Sequence, residues 1–430
     1  MPLDLLIRHA RLPHHEQLTD IGIQDGKFTR LASTIRASAT REIDAAGRLV
    51  SPPLIDCHVH MDAALTVGQP RHNQSGTLLE GIQIWSERKP SLTLEDVKRR
   101  ATEAIKWEVA QGALFIRSHV DVCDPRLIAL RALLEVRHEL ADICELQLVA
   151  FPQDGILSFP NGRALMDEAM QLGANVVGGI PHHEWTREMG VEDVHIAFEL
   201  ARRYNRDVDC HCDETDDPQS RFTEVMAADT IQQGWEGRAT VSHCTAMHSW
   251  DNAYAFKAIR LLARGRLNVI CNPYDNIILQ GRFDTYPKRR GMARLKELLA
   301  AGVNVSLGHD SIMDPWYPLG RGDMLAAASL ALHIAQMSGR DEIGAMYELI
   351  TTNAAQTLNI SDRYGIEEGK PANLIVLDAT SPEEALRLTP ARLHVIKDGH
   401  VIASTTPSQS TLRRAGAEET VTFVPQPAAE

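Results

Sequence analysis

Between residues 54 and 310 the chain repeats one pattern eight times. A short apolar or β-branched run ends on polar or small residues and gives way to a helical stretch. The runs start at Leu54, Ala113, Leu146, Asn175, Asp207, Ala239, Leu267 and Val303. Short apolar runs between turn signals read as strands buried on both faces. Helical periodicity predicts helices over 93–112, 127–139, 162–172, 191–204, 222–232, 253–263 and 293–301, then over 324–335 and 341–358. Eight strand–helix units predict an α/β fold, a (β/α)8 barrel of TIM type. The rival is a doubly wound open sheet, but no Gly-x-Gly-x-x-Gly turn follows an early strand.

Both flanks read differently. Leu5-Leu6-Ile7, Ile21-Gly22-Ile23 and the Asp25-Gly26 turn predict short strands and hairpins before Pro52-Pro53. Strands return at 371–378 and in a hairpin around Asp398-Gly399. The expected organisation is a barrel over 54–370, with a small β-sandwich domain from both chain ends, 1–53 plus 371–420. A tail over 421–430 has little to bury.

Polar residues gather where the strands end: His58, His60, Gln153, His211, His243 and Asp310. In a barrel those ends share one rim, where active sites sit. In a strand His58 and His60 share a face, with Val59 opposite. His58, His60, His211 and Asp310 together offer three imidazoles and one carboxylate. That set suits Zn²⁺ or Fe²⁺ with room for a water. Glu214, three residues after His211, is a carboxylate able to reach such a water without being a ligand, the place for a proton shuttle. Asp213, Asp216 and Asp217 read as surface loop carboxylates. His243 is either a further ligand or the group that stabilises the attacking hydroxide, with the second role preferred. Alternation turns Cys57, Cys210 and Cys212 away from the neighbouring histidines, so they and Cys244 read as small buried hydrophobes. There is no Cys-x-x-Cys, which excludes the cysteine-zinc class of deaminases. A water on such a metal has its pKa pulled toward neutrality, which fits hydrolysis at an electrophilic carbon.

Charge and composition remove other classes. Lys and Arg number 44 against 57 Asp and Glu, a formal net charge of −13. Such a chain is a poor phosphate-tracking surface, so no nucleic acid or anionic membrane is expected as partner. No apolar run is long enough to span a bilayer, and no signal peptide is visible. Seven cysteines without framework spacing suggest reduced thiols and a cytoplasmic location.

Asp56-Cys57-His58-Val59-His60, His211-Cys212-Asp213-Glu214, Ser242-His243 and Gly308-His309-Asp310 resemble the amidohydrolase superfamily. Longer blocks resemble its bacterial cytosine deaminases. These are Gly68-Gln69-Pro70, 73–77, Ala150-Phe151-Pro152-Gln153, 280–291 and Asp314-Pro315-Trp316-Tyr317-Pro318-Leu319-Gly320. The resemblance implies one metal per subunit, Fe²⁺ or Zn²⁺, on His58, His60, His211 and Asp310. It implies Glu214 as shuttle, His243 beside the reacting carbon, and Gln153 on the ring edge. Phe151 and Trp316 in the matching blocks, and Ser311 beside Asp310, join Gln153 as substrate-binding candidates. A homo-oligomer, often a hexamer, and a free nucleobase substrate are implied too. Residues 175–184 contain no lysine to carry a carbamate between two metals, against the dihydroorotase and hydantoinase branch. The competing substrates are other amino-heterocycles such as isoguanine or creatinine, and, further off, a cyclic amide.

At one position the chain departs from that pattern. Ser311 stands where the cytosine deaminases carry a second aspartate after Asp310. An ionised carboxylate there resists a methyl group pressed against it, because contact would strip its water. Serine is smaller and neutral, and its hydroxyl can turn toward backbone. The expectation is a site that admits a C5 substituent, so that 5-methylcytosine is hydrolysed to thymine and ammonia. The competing expectation places residue 311 away from C5.

Overall fold

The computed structural model describes residues 2–424. The eight strands are Leu54–Val59, Ala113–Asp121, Glu145–Phe151, Val176–Gly179, Asp207–Cys212, Ala239–His243, Asn268–Cys271 and Asn304–Leu307. They lie side by side in chain order, in parallel. The cylinder closes at its rim, where Val59 bridges Asp310. Asp310 N donates to His58 O at 2.7 Å, and His60 N donates to Asp310 O at 3.0 Å. Three of the four candidate ligands are therefore fixed to one another by the backbone bonds that close the barrel.

Helices cover the outside, as parallel strands require. Leu94–Ala110 starts at Thr93, whose hydroxyl accepts from Asp96 N, and buries Val97, Ala101, Ala104, Ile105 and Val109. Gly162–Leu172 stops at Gly173, whose φ of 116° suits only glycine. Leu78–Arg88 and Pro273–Leu279 are helices that periodicity did not reveal.

The helix expected over 341–358 is instead two, Arg340–Glu348 and Thr352–Thr357. The cause lies in the barrel. Leu307 N donates to Leu349 O at 3.2 Å and Ile55 N donates to Ile350 O at 3.0 Å. Those carbonyls serve barrel strands, so the helical ladder opens there.

Two further four-stranded sheets come from the chain ends. One orders Lys27–Ala32, Thr19–Gln24, Leu3–Ala10 and Ala39–Asp44; the other orders His400–Ser404, Arg392–Lys397, Leu374–Leu377 and Val50–Ser51. Leu5, Ile7, Ile21, Ile23 and Phe28 of the first pack with Val50, Leu374, Val376 and Ile396 of the second. We propose these two sheets as the small sandwich unit beside the barrel of residues 54–370. Ser410–Arg414 and Ala417–Val421, which had been counted with the sandwich up to residue 420, pair only with each other among the described residues, and both strands are exposed. Most of the expected tail, 425–430, lies outside the described residues. No helix among them is long and apolar enough to cross a membrane.

Candidate active site

The strand ends converge as the alternation requires. His211 Nε2 lies 3.3 Å from His60 Nε2. Asp310 Oδ1 lies 3.5 Å from Nε2 of both His58 and His60. Bonds of about 2.0–2.1 Å in a tetrahedron set ligand atoms about 3.3–3.4 Å apart. These three spacings fit one small divalent ion, with His58, His60 and Asp310 within ligand reach of one another. His58 Nε2 is buried with no hydrogen-bond partner, a cost that a metal ion would remove. Burial first, and neighbouring imidazoles second, hold His58, His60 and His211 well below the ordinary histidine pKa. Neutral imidazoles keep the lone pair that a metal needs.

The tautomer of His58 is set from outside. Its Nδ1 meets Ser242 Oγ at 3.0 Å, and that hydroxyl donates to Asp209 Oδ1 at 2.8 Å. The hydrogen therefore sits on Nδ1 and Nε2 faces the centre. Arg117 Nη1 donates to Asp209 Oδ2 at 2.9 Å, with both side chains buried. His119 stacks on His58 at 3.8 Å between centroids. His58, His119 and Asp209 also form a cluster of potential ligands. Arg117 already neutralises Asp209, so that cluster positions His58 rather than holding a second cation.

Glu214 is buried, and burial pushes its pKa up to about 8. Its Oε1 lies 3.5 Å from His243 Nδ1. The segment is anchored by Asp213, which is fully buried and not on the surface as expected. Its carboxylate accepts from Ser220 Oγ, Phe222 N, Thr223 N and Thr223 Oγ1 at 2.6–2.9 Å. Asp216 is likewise engaged, accepting from Gly281 N at 2.9 Å. His243, Asp310 and Asp213 have φ of 70°, 70° and 54°. Such left-handed backbone in residues other than glycine is sterically costly and clusters at functional sites.

His243 lies with His58 and His211 in one ligand-sized cluster. Asn276 Nδ2 lies 3.0 Å from its Nδ1, the ring nitrogen that also faces Glu214. An imidazole N–H beside the cluster suits a developing oxyanion. Asn272 Nδ2 approaches the same ring at 3.3 Å.

A small cavity opens over the cluster. His60, Gln153, His211, Glu214, His243, Asp310, Ser311 and Trp316 line it, with Leu78, Asp275 and Leu279. Phe151 is not on that wall. It lies behind it, fully buried and stacked on His211 at 4.0 Å between centroids. It orients a candidate ligand rather than touching the occupant.

Ser311 is on the wall, but its hydroxyl does not turn toward backbone. It donates to Asp275 Oδ2 at 2.7 Å. Asp275, Asn272, Asn276, Ser242 and Asp209 were missed as site residues. The first three follow the seventh strand, so the strand-end criterion that selected the histidines reaches them. Ser242 lies one residue before His243 and Asp209 two before His211, and the strand-end criterion reaches neither.

Trp316 is held by Asp314, which accepts from Trp316 N at 2.9 Å and Tyr317 N at 3.0 Å. Its ring crosses Gly81 so closely that an added Cβ would sit 2.4 Å from Trp316 Cδ1. Gly81→Ala is expected to displace the indole and lower kcat/KM, while metal content is kept. Small misplacements near the chemistry cost up to about 10²-fold. Unchanged kcat/KM in that variant would remove Trp316 from the binding wall.

Residues 41–403 match the amidohydrolase family. N-isopropylammelide isopropyl amidohydrolase of Pseudomonas sp. (strain ADP) is 32% identical over 410 residues, covering 93% of this chain and 97% of that one. Among solved structures, 5-methylcytosine deaminase from Klebsiella pneumoniae, liganded with 5-fluorocytosine, is 47% identical with a TM-score of 0.93. That match covers 96% of this chain and all of the other. N-isopropylammelide isopropylaminohydrolase from Burkholderia multivorans ATCC 17616 is 25% identical, with a TM-score of 0.81 over 94% of this chain and 99% of that one.

Proposed function

The chain belongs to the amidohydrolase family, and from that premise we propose that it hydrolyses a free cytosine-type base, 5-methylcytosine to thymine and cytosine to uracil, releasing ammonia. The observation that carries this reading is the small cavity that brings Gln153, Glu214 and Ser311 together over the His/Asp cluster. The 47% identity to a 5-methylcytosine deaminase supports it.

His58, His60, His211 and Asp310 would hold one divalent metal, Zn²⁺ or Fe²⁺, which supplies acidity to a bound water. The chain's own residues do the rest. The Gln153 amide offers both a donor and an acceptor, the complement of an N–H/C=O ring edge. Glu214 takes one proton from the attacking water and passes it to the ring nitrogen, then carries the remaining hydroxyl proton to the departing amine as the C4 oxygen becomes a carbonyl. His243 donates its ring N–H to the oxygen added at C4. Water adds, ammonia leaves, and the C4 amine becomes a carbonyl.

Ser311 supplies room beside C5. Ser311→Asp is expected to lower the ratio of kcat/KM for 5-methylcytosine over cytosine, since one methyl is worth about 10- to 200-fold in a fitted pocket. The same ratio in wild type and variant would mean that residue 311 does not read C5.

All seven cysteines are free and buried. That fits a reducing compartment, and we place the reaction in the cytoplasm. We also propose a homo-oligomer, a hexamer by resemblance. Phe283 and Tyr286, each 89% exposed on one loop, support a subunit contact. A monomer at micromolar concentration in light scattering would remove it.

A further inference from the structure

Resting on the reading of this cavity as the site of a free aminopyrimidine, we propose that Asp275 is a positioning residue. It fixes Ser311 as a hydrogen-bond acceptor toward the substrate's amino group, and so sets the preference for amine over carbonyl at the reacting carbon.

Ser311 and Asp275 both line the cavity, and neither is more than 2% exposed. A serine hydroxyl has one hydrogen and two lone pairs. The hydrogen is committed to Asp275 Oδ2 at 2.7 Å. Only lone pairs then remain for the cavity. Ser311 directly follows Asp310, whose Oδ1 lies 3.5 Å from His58 Nε2 and His60 Nε2. A ring whose reacting carbon faces that cluster brings its exocyclic group and C5 to residue 311. The substrate's group there is an amine, which donates. The product's group is a carbonyl, which only accepts. An acceptor-only Ser311 therefore favours substrate and disfavours product.

Asp275 makes one side-chain hydrogen bond among the described residues, to Ser311. It sits in the first turn of Pro273–Leu279, yet that helix has no side-chain cap bond. Its Oδ1 has no partner.

The test compares substrate and product. Asp275→Val is close in size and has no acceptor, which frees the Ser311 hydroxyl to donate into the cavity. We expect kcat/KM for 5-methylcytosine to fall by about tenfold, the scale of one lost hydrogen bond. The inhibition constant of thymine should move the other way and tighten by about threefold or more. Asp275→Asn keeps a carbonyl acceptor and should bring both values back toward those of wild type. Ser311→Ala, which removes the hydroxyl, should weaken substrate while leaving thymine inhibition within about twofold.

Substrate and product weakened together in Asp275→Val, or Asp275→Asn behaving as Asp275→Val does, would overturn the inference. If Asp275→Val does not fold, equal losses for substrate and product in Ser311→Ala would overturn it. Wild-type protein that releases no ammonia from any aminopyrimidine would overturn the functional reading instead.

Discussion

Glu214→Gln is expected to bind metal and substrate but to lower kcat by about 10²- to 10⁴-fold, the usual contribution of a positioned acid–base group. The glutamine keeps the shape and volume of the side chain. It cannot take a proton from water or hand one to the ring. The backbone that aims residue 214 should survive, because Asp213 holds it through four hydrogen bonds to Ser220, Phe222 and Thr223. Metal content and KM should therefore stay near wild-type values while kcat collapses. A loss below tenfold with metal retained would take the shuttle role away from Glu214.

Asp310→Ala and His211→Ala are expected to empty the metal site. Asp310 carries the only carboxylate of the proposed set. Its amide and carbonyl also close the barrel against His58 and His60. Alanine keeps those backbone bonds, so the fold should remain while the donor is lost. Loss of a partner that merely orients a ligand typically costs 10- to 100-fold in metal affinity, roughly a lower bound for removing the ligand itself. Burial, then Asp275 and Glu214, push the Asp310 carboxyl well above the usual range when no cation faces it. A metal assay on both purified variants should show little bound metal and no ammonia release. Full occupancy in both would mean that the ligand set is wrong.

Much of this architecture is legible from local pattern. Every barrel strand begins within two residues of its apolar run, because a strand buried on both faces must be apolar and β-branched along its length. The candidate ligands are legible because the barrel places strand ends together. What escapes is set across long sequence separations. Nothing around residue 350 says that its carbonyl will serve Ile55. Nothing in His211-Cys212-Asp213-Glu214 says that Asp213 is buried, because the groups that satisfy it arrive from residues 220–223. Ser242 fixes the tautomer of His58 across 184 residues. The Ser311 departure was visible, but its partner Asp275 lies 36 residues earlier, on a short helix without apolar periodicity.

The central claim is metal-dependent deamination of a free cytosine-type base. It is tested most directly by following ammonia and pyrimidine product together, with purified protein, before and after chelation. 5-Methylcytosine should yield thymine and ammonia in equal amounts, and cytosine should yield uracil in the same way. Activity should vanish on chelation and return with Zn²⁺ or Fe²⁺. Ring opening without ammonia, or no turnover of either base by metal-loaded protein while isoguanine, creatinine or N-isopropylammelide is consumed, would contradict it.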